Sequence, residues 1–149
     1  MDLVAKRNRS VICLLVCAIA PASAQQSATY RDPQGRYTTQ LPAGFSTVQL
    51  NGDAVQFANG AAYVTAMVLP GNDPKMTIDA IARQSGGQWR NFTEVRGGDT
   101  RFAGRVGPYA TYSGTNPMGA DSYLQMLAIT DGISTYLLMT SAPRRIFCV

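Results

Sequence analysis

An α+β fold, with one helix laid against an antiparallel sheet, follows from three features of this 149-residue sequence. Runs of strand length recur between turn signals, including an Asn-Gly pair, the strongest short hairpin signature. A single stretch from Thr77 onward shows helical apolar spacing. The later strands carry apolar residues on both faces, so the sheet asks for cover front and back.

The chain opens with a different kind of segment. Lys6, Arg7 and Arg9 precede an uninterrupted apolar run over residues 11–20, Pro21 breaks it, and Ala22-Ser23-Ala24 follow. That order predicts a cleavable secretory signal over residues 1–24, with the mature chain starting at Gln25. The run is shorter than the roughly 18 apolar residues a membrane-crossing helix needs, so no transmembrane segment is expected after cleavage. Cys13 and Cys17 follow Ile12 and Val16, where a lipid-modified cysteine normally follows Gly, Ala or Ser. The expected location is the periplasm or the exterior. Residues 25–149 fit one domain. Cleavage removes three of the 13 basic and one of the nine acidic residues, which lowers the formal charge from +4 to +2. Only Arg144-Arg145 remains as a basic cluster, so nucleic acid is not an expected partner. Cys148 would be the sole mature cysteine, which excludes an intrachain disulfide.

Asp32-Pro33-Gln34-Gly35 reads as a turn, because Pro presets φ and Gly accepts the positive φ that follows. Residues 36–41 make a short strand, ended by Pro42-Ala43-Gly44. Asn51-Gly52 joins strands at 46–50 and 53–57, and Asn59-Gly60 leads into a strand at 61–69. Residues 70–74, with a proline at each end, stop it. The helix is expected to start at an N-cap Thr77, with Asp79 favouring the positive end of the dipole. Ile78, Ile81, Ala82 and Ser85 form its buried face, joined by Trp89 and Phe92 if it continues past Gly86-Gly87. Trp89 reads as a core anchor. Strands follow at 93–102, 104–113, 122–130 and 134–140. Gly97-Gly98-Asp99, residues 116–119 and Asp131-Gly132 read as turns, as does Gly107-Pro108. In the strand at 122–130, Tyr123, Leu127 and Ile129 point one way while Leu124, Met126 and Ala128 point the other.

The opening Tyr30-Arg31-Asp32-Pro33-Gln34-Gly35-Arg36-Tyr37, then Leu41-Pro42-Ala43-Gly44-Phe45, resembles the start of PsbP-like domains. Gly107-Pro108-Tyr109, Ser113-Gly114 and the closing Ser141-Ala142-Pro143 are similar to their later half. The resemblance covers roughly residues 30–143 and rests on turn and packing residues. It implies the α/β/α sandwich shared with the Ran-binding Mog proteins and small bacterial envelope proteins, and a non-catalytic binding role. Such domains normally continue into a C-terminal helix that covers one sheet face. Here six residues follow Pro143. The expectation is a PsbP-like sandwich without that helix, through a truncated or frame-shifted end or a helix supplied by a partner. An uncovered apolar face and self-association would follow.

Catalysis has few candidates. The chain contains no histidine, Glu94 is its sole glutamate, and Lys75 is the only lysine beyond the leader. Asp32, Asp53, Asp73, Asp99 and Asp131 adjoin Gly or Pro or lie one residue away, where such carboxylates usually accept local backbone hydrogen bonds. No catalytic residue, metal site or cofactor is expected. For binding, the candidates are Arg101, Arg105, Tyr109 and Tyr112, which suit an anionic ligand or an acidic partner. Arg96 stands an odd number of residues from Arg101 and faces the other way, whereas Arg101 and Arg105 share parity and are expected on one surface. The leading function is an exported binding or assembly module for an envelope protein or small ligand. The alternatives are a small hydrolase using Ser113 and Asp121, and a structural subunit that docks a partner helix on its open face.

Overall fold

The computed structural model describes residues 11–12, 28–41, 43–51 and 53–146. Seven strands form the main sheet: β4 (Ser46–Asn51), β5 (Ala54–Asn59), β6 (Ala62–Pro70), β7 (Arg90–Phe102), β8 (Arg105–Thr115), β9 (Asp121–Thr130) and β10 (Ser134–Pro143). Their order is β4-β5-β6-β10-β9-β8-β7, and every neighbouring pair is antiparallel. The sheet is thus two meanders, β4–β6 and β7–β10, joined where β10 runs beside β6 from Ser134↔Pro70 to Ser141↔Tyr63. A smaller sheet has β3 (Thr38–Leu41) at its centre, antiparallel to β2 (Ala28–Arg31) and parallel to the two-residue β1 (Val11–Ile12). Apart from Val11–Ile12, the expected leader lies outside the described residues, as does Cys148.

The helix α1 (Pro74–Gly86) starts earlier than the sequence suggested. Asp73, not Thr77, is the N-cap: its Oδ1 accepts the Met76 N–H at 2.9 Å. Pro74 sits at the first helical position, where its missing N–H costs nothing. Thr77 instead donates its hydroxyl to the Asp73 carbonyl at 3.0 Å. Asp79 lies past the first turn and meets Lys75 at 3.3 Å, one turn away. The helix stops at Gly86, so Trp89 reaches the core from the connection to β7.

Both faces of the sheet are covered, by different means. On one, α1 places Ile78 over Ala110, Tyr112, Leu124, Met126, Ala128 and Leu137, with Trp89 alongside. On the other, the β2–β3 hairpin sets Tyr37 and Leu41 against Val55, Phe57, Val64, Ala66 and Val68. The sequence reading left that second face without a covering element. The short strand it recognised belongs to the missing layer, and the three-stranded sheet takes the place of a second helix over the β4–β6 end.

Two expected turns are strand interior. Gly97-Gly98-Asp99 lies within β7, and the reversal occurs at Ala103-Gly104, both at positive φ (48° and 77°), the geometry of a tight two-residue hairpin. Gly107-Pro108 lies within β8. A Cβ on Gly107 would collide with the carbonyl of Ala128 on β9, so glycine there permits close approach of two backbones. No helix among the described residues is long and apolar enough to cross a membrane.

Candidate functional site

Strand register decides where each candidate side chain points, because directly opposed residues of antiparallel strands share a face. Tyr112 is opposite Leu124 and Glu94, so it belongs to the helix face. It is buried and stacks on Phe92 with centroids 4.6 Å apart and planes 7° from parallel. Burial raises its pKa above the usual phenol value, with the nearby Glu94 and Asp79 carboxylates adding to the effect. Tyr112 is a core residue. Tyr109, three positions away, lies on the hairpin face in a row with Leu127 and Leu138.

The two arginines expected on one surface are separated. Their shared parity would hold along a continuous strand, but the Ala103-Gly104 turn intervenes. Arg101 is opposite Val106 and Arg105 is opposite Phe102, which puts them on opposite faces. Arg105 donates to the Thr130 carbonyl at 3.0 Å, close to Asp131, whose Oδ2 accepts the Tyr136 hydroxyl at 3.0 Å. It closes the end of the sheet and is not a free cation. Arg96 is opposite Thr111, on the hairpin face, and is separated from Arg101 as the sequence predicted.

Arg96 and Tyr109 come together. They line an open cleft of about 460 Å³ on the hairpin face, beyond the reach of the hairpin, along with Thr100, Gln125, Leu127, Leu138 and Thr140. The volume falls in the range of small-ligand sites. Leu127 and Leu138 form an apolar floor, and Gln125 is steadied by a long hydrogen bond (3.5 Å) from its amide nitrogen to the buried Thr111 hydroxyl. Arg96 takes part in no ion pair among the described residues.

A second cleft of about 290 Å³ lies on the helix face, between the start of α1 and β7–β8. Lys75, Asp79, Glu94, Gly97, Gly98 and Tyr112 line it. Asp79 is taken by Lys75, whereas Glu94 and Asp99 are in no ion pair among the described residues. Asp99 and Tyr109 border both clefts, next to Gly97-Gly98, which line the helix-face one on the edge strand β7. Sequence reading missed this junction because it took the glycines for a turn.

Ser113 and Asp121 lie diagonally on one face of β8–β9, and each is engaged with other neighbours. Ser113 is buried between Thr93 and Tyr123, while Asp121 pairs with Thr115 and accepts its hydroxyl at 3.1 Å. Asp131 and Asp73 do serve turn and cap backbones, as expected, with Asp131 accepting N–H groups of Ile133 and Ser134. Asp32 does more. Its buried carboxylate holds the Arg36 guanidinium at 2.9 Å, and Arg36 reaches on to Asp53 at 2.6 Å, clamping the β2–β3 hairpin to the main sheet. The Arg36 hydrogen bonds keep the Asp32 pKa below the usual carboxylate value. Among the described residues, no group of three or more His, Cys, Asp or Glu side chains could hold a metal.

These features define an α+β protein of PsbP-like fold: one helix on a mostly antiparallel sheet. Among solved structures, cyanobacterial PsbP (CyanoP) from Synechocystis sp. PCC 6803 matches with a TM-score of 0.57 and 11% sequence identity, covering 86% of each chain. A protein of Bacteroides thetaiotaomicron VPI-5482 matches with a TM-score of 0.54 and 12% identity over 80% of this chain. The present chain spans 43% of that protein's length. No protein-family model matches the sequence, and no curated protein does.

Proposed function

We propose that this is an exported, non-catalytic module that binds an envelope protein or a small ligand at the β7 end of its sheet. The observation that carries this reading is the 460 Å³ cleft, where Arg96 and Tyr109 stand over an apolar floor and Arg96 has no internal ion partner. Polar groups around an apolar base are the usual make-up of a recognition site. The leader-like start of the sequence supports export.

A benzophenone photo-crosslinker placed at Tyr109 tests the proposal, with the same group at the exposed Met118 as the control. Irradiation in envelope extracts is expected to give a discrete adduct from position 109 and none from 118. Equal labelling at both positions counts against the reading. So does turnover on an ester or peptide panel that Ser113→Ala abolishes.

A further inference from the structure

We infer that the outer edge of β7 accepts an extended segment of another protein as an eighth, antiparallel strand, with a basic residue opposite Asp99 and an acidic residue opposite Arg96. This rests on the binding role proposed above and narrows it to a peptide strand of stated charge pattern.

Three observations converge on that edge. β7 ends the sheet, so its outward N–H and C=O groups have no strand partner among the described residues. The register irregularities of β7 fall between Arg90 and Thr93 and between Glu94 and Arg96, leaving residues 96–102 regular. Bulges and charges are how edges are normally blunted, and here the bulges stop short of the glycine pair. Gly97 and Gly98 carry no side chain to obstruct an incoming strand. The two clefts open on opposite faces of this same stretch. Strand addition uses main-chain hydrogen bonds for affinity and pockets for alternate side chains for specificity, and alternate side chains point to opposite faces.

Charge sets the partner's pattern. The hairpin-face cleft presents the Arg96 cation, Asp99 borders both clefts, and the helix-face cleft adds the Glu94 carboxylate beside the Lys75–Asp79 pair. Arg96 and Asp99 are three residues apart, hence on opposite faces, as their partners Thr111 and Pro108 on β8 confirm. An antiparallel partner therefore reads, from its N-terminus, a Lys or Arg, two residues, then an Asp or Glu. The two middle residues lie opposite Gly97 and Gly98, beside the Glu94 carboxylate and the Tyr109 ring that lie over those glycines.

A second copy of this chain fits less well. A symmetric antiparallel pair opposes residues of the same face, so its axis passes through a residue. Centred on Gly97, Gly98 or Thr100, it places Arg96 opposite Gly98, Thr100 or Gly104, none of which supplies a carboxylate. Only the Thr100 setting joins opposite charges, Asp99 with Arg101, and it leaves Arg96 unmatched.

The test uses the full chain and two fluorescein-labelled nine-residue peptides of alternating Thr and Val. One carries Lys and, three residues later, Glu; the other has the two charges exchanged. Anisotropy titrations are expected to favour the Lys-first peptide at least about tenfold, with amide shifts centred on residues 97–99. The double variant Arg96→Asp/Asp99→Arg, both positions exposed, is expected to invert that preference while its melting temperature stays unchanged. Four results would overturn the proposal: no binding of either peptide up to millimolar concentration, equal binding of both, preference for the exchanged peptide, or a dimer by light scattering that the double variant dissolves. If the peptides fail while the Tyr109 crosslink succeeds, the binding role stands and the strand-addition mode alone is lost.

Discussion

The two faces of the main sheet are sealed in different ways, and the larger opening, about 460 Å³ against about 290 Å³, lies on the hairpin face. Under α1, Leu124, Met126, Ala128 and Leu137 are almost wholly excluded from water by a continuous apolar layer. Under the hairpin, an aromatic group of Tyr30, Tyr37 and Phe57 does similar work over part of the face, assisted by the Asp32–Arg36–Asp53 clamp. The remainder of that face, over β8–β10, is the Arg96–Tyr109 cleft. The resemblance led one to expect this face without its helix, and a compact lid of two short strands covers its β4–β6 end instead. The uncovered part carries Thr100, Gln125 and Thr140 among its leucines, so it is not the apolar patch anticipated from sequence.

The sharpest way to break this comparison is to hollow out each layer. Phe57→Ala on the hairpin face should cost about 3–5 kcal/mol and Met126→Ala on the helix face about 2–5 kcal/mol, both read by urea unfolding. If Phe57→Ala cost less than about 1 kcal/mol, the hairpin would not be a true core layer.

The clamp comes next. Asp32→Asn leaves Arg36 facing Asp53 alone and should lower stability by about 1–3 kcal/mol. It should also flatten the acid limb of the stability profile. The hydrogen bonds from Arg36 hold the Asp32 pKa in the folded protein below the ordinary carboxylate value of about 3.8. Its contribution is therefore complete above that value and is lost as pH falls below it toward the folded pKa. Unfolding followed from pH 6 to pH 2, for wild type beside Asp32→Asn, checks the sign. Identical acid limbs would show that the clamp contributes nothing.

Smaller effects sharpen the picture. Ala103→Gly relieves a left-handed backbone at a non-glycine residue and should stabilise by up to about 1 kcal/mol, visible as a raised melting temperature. Tyr109→Ser should change stability by under about 1 kcal/mol while abolishing the photo-adduct's natural counterpart, ligand binding at the cleft. A large loss of stability instead would make Tyr109 a packing residue.

Much of this fold was legible locally. Asn51 and Asn59 with their following glycines marked hairpins that the pairing of β4, β5 and β6 realises, and the face of Ile78, Ile81 and Ala82 does meet the core. What failed was knowledge that spans elements. The parity of Arg101 and Arg105 could not be read without knowing that the chain reverses between them. Glycines in β7 and β8 resembled turn residues because a turn and a close backbone approach both demand the missing Cβ. Pro74 read as a breaker although, directly after Asp73, the same residue can begin a helix. The short strand at β3 gave no hint of which sheet it would join, so the cover it provides went unseen. The cleft escaped for the same reason. It exists only where four strands lie side by side and the hairpin stops.

The single seam between the two meanders has a consequence for how the chain assembles. Within each meander, every strand pairs with one made shortly before it. The seam instead joins Tyr63 to Ser141 and Pro70 to Ser134, contacts that must close a long loop before they return any stabilisation. A chain emerging from the ribosome, or through a translocation pore, N-terminus first would hold two unfinished halves until its last strand arrived. Any helper that shields a nascent chain would therefore be needed longest by the exposed flank of β6.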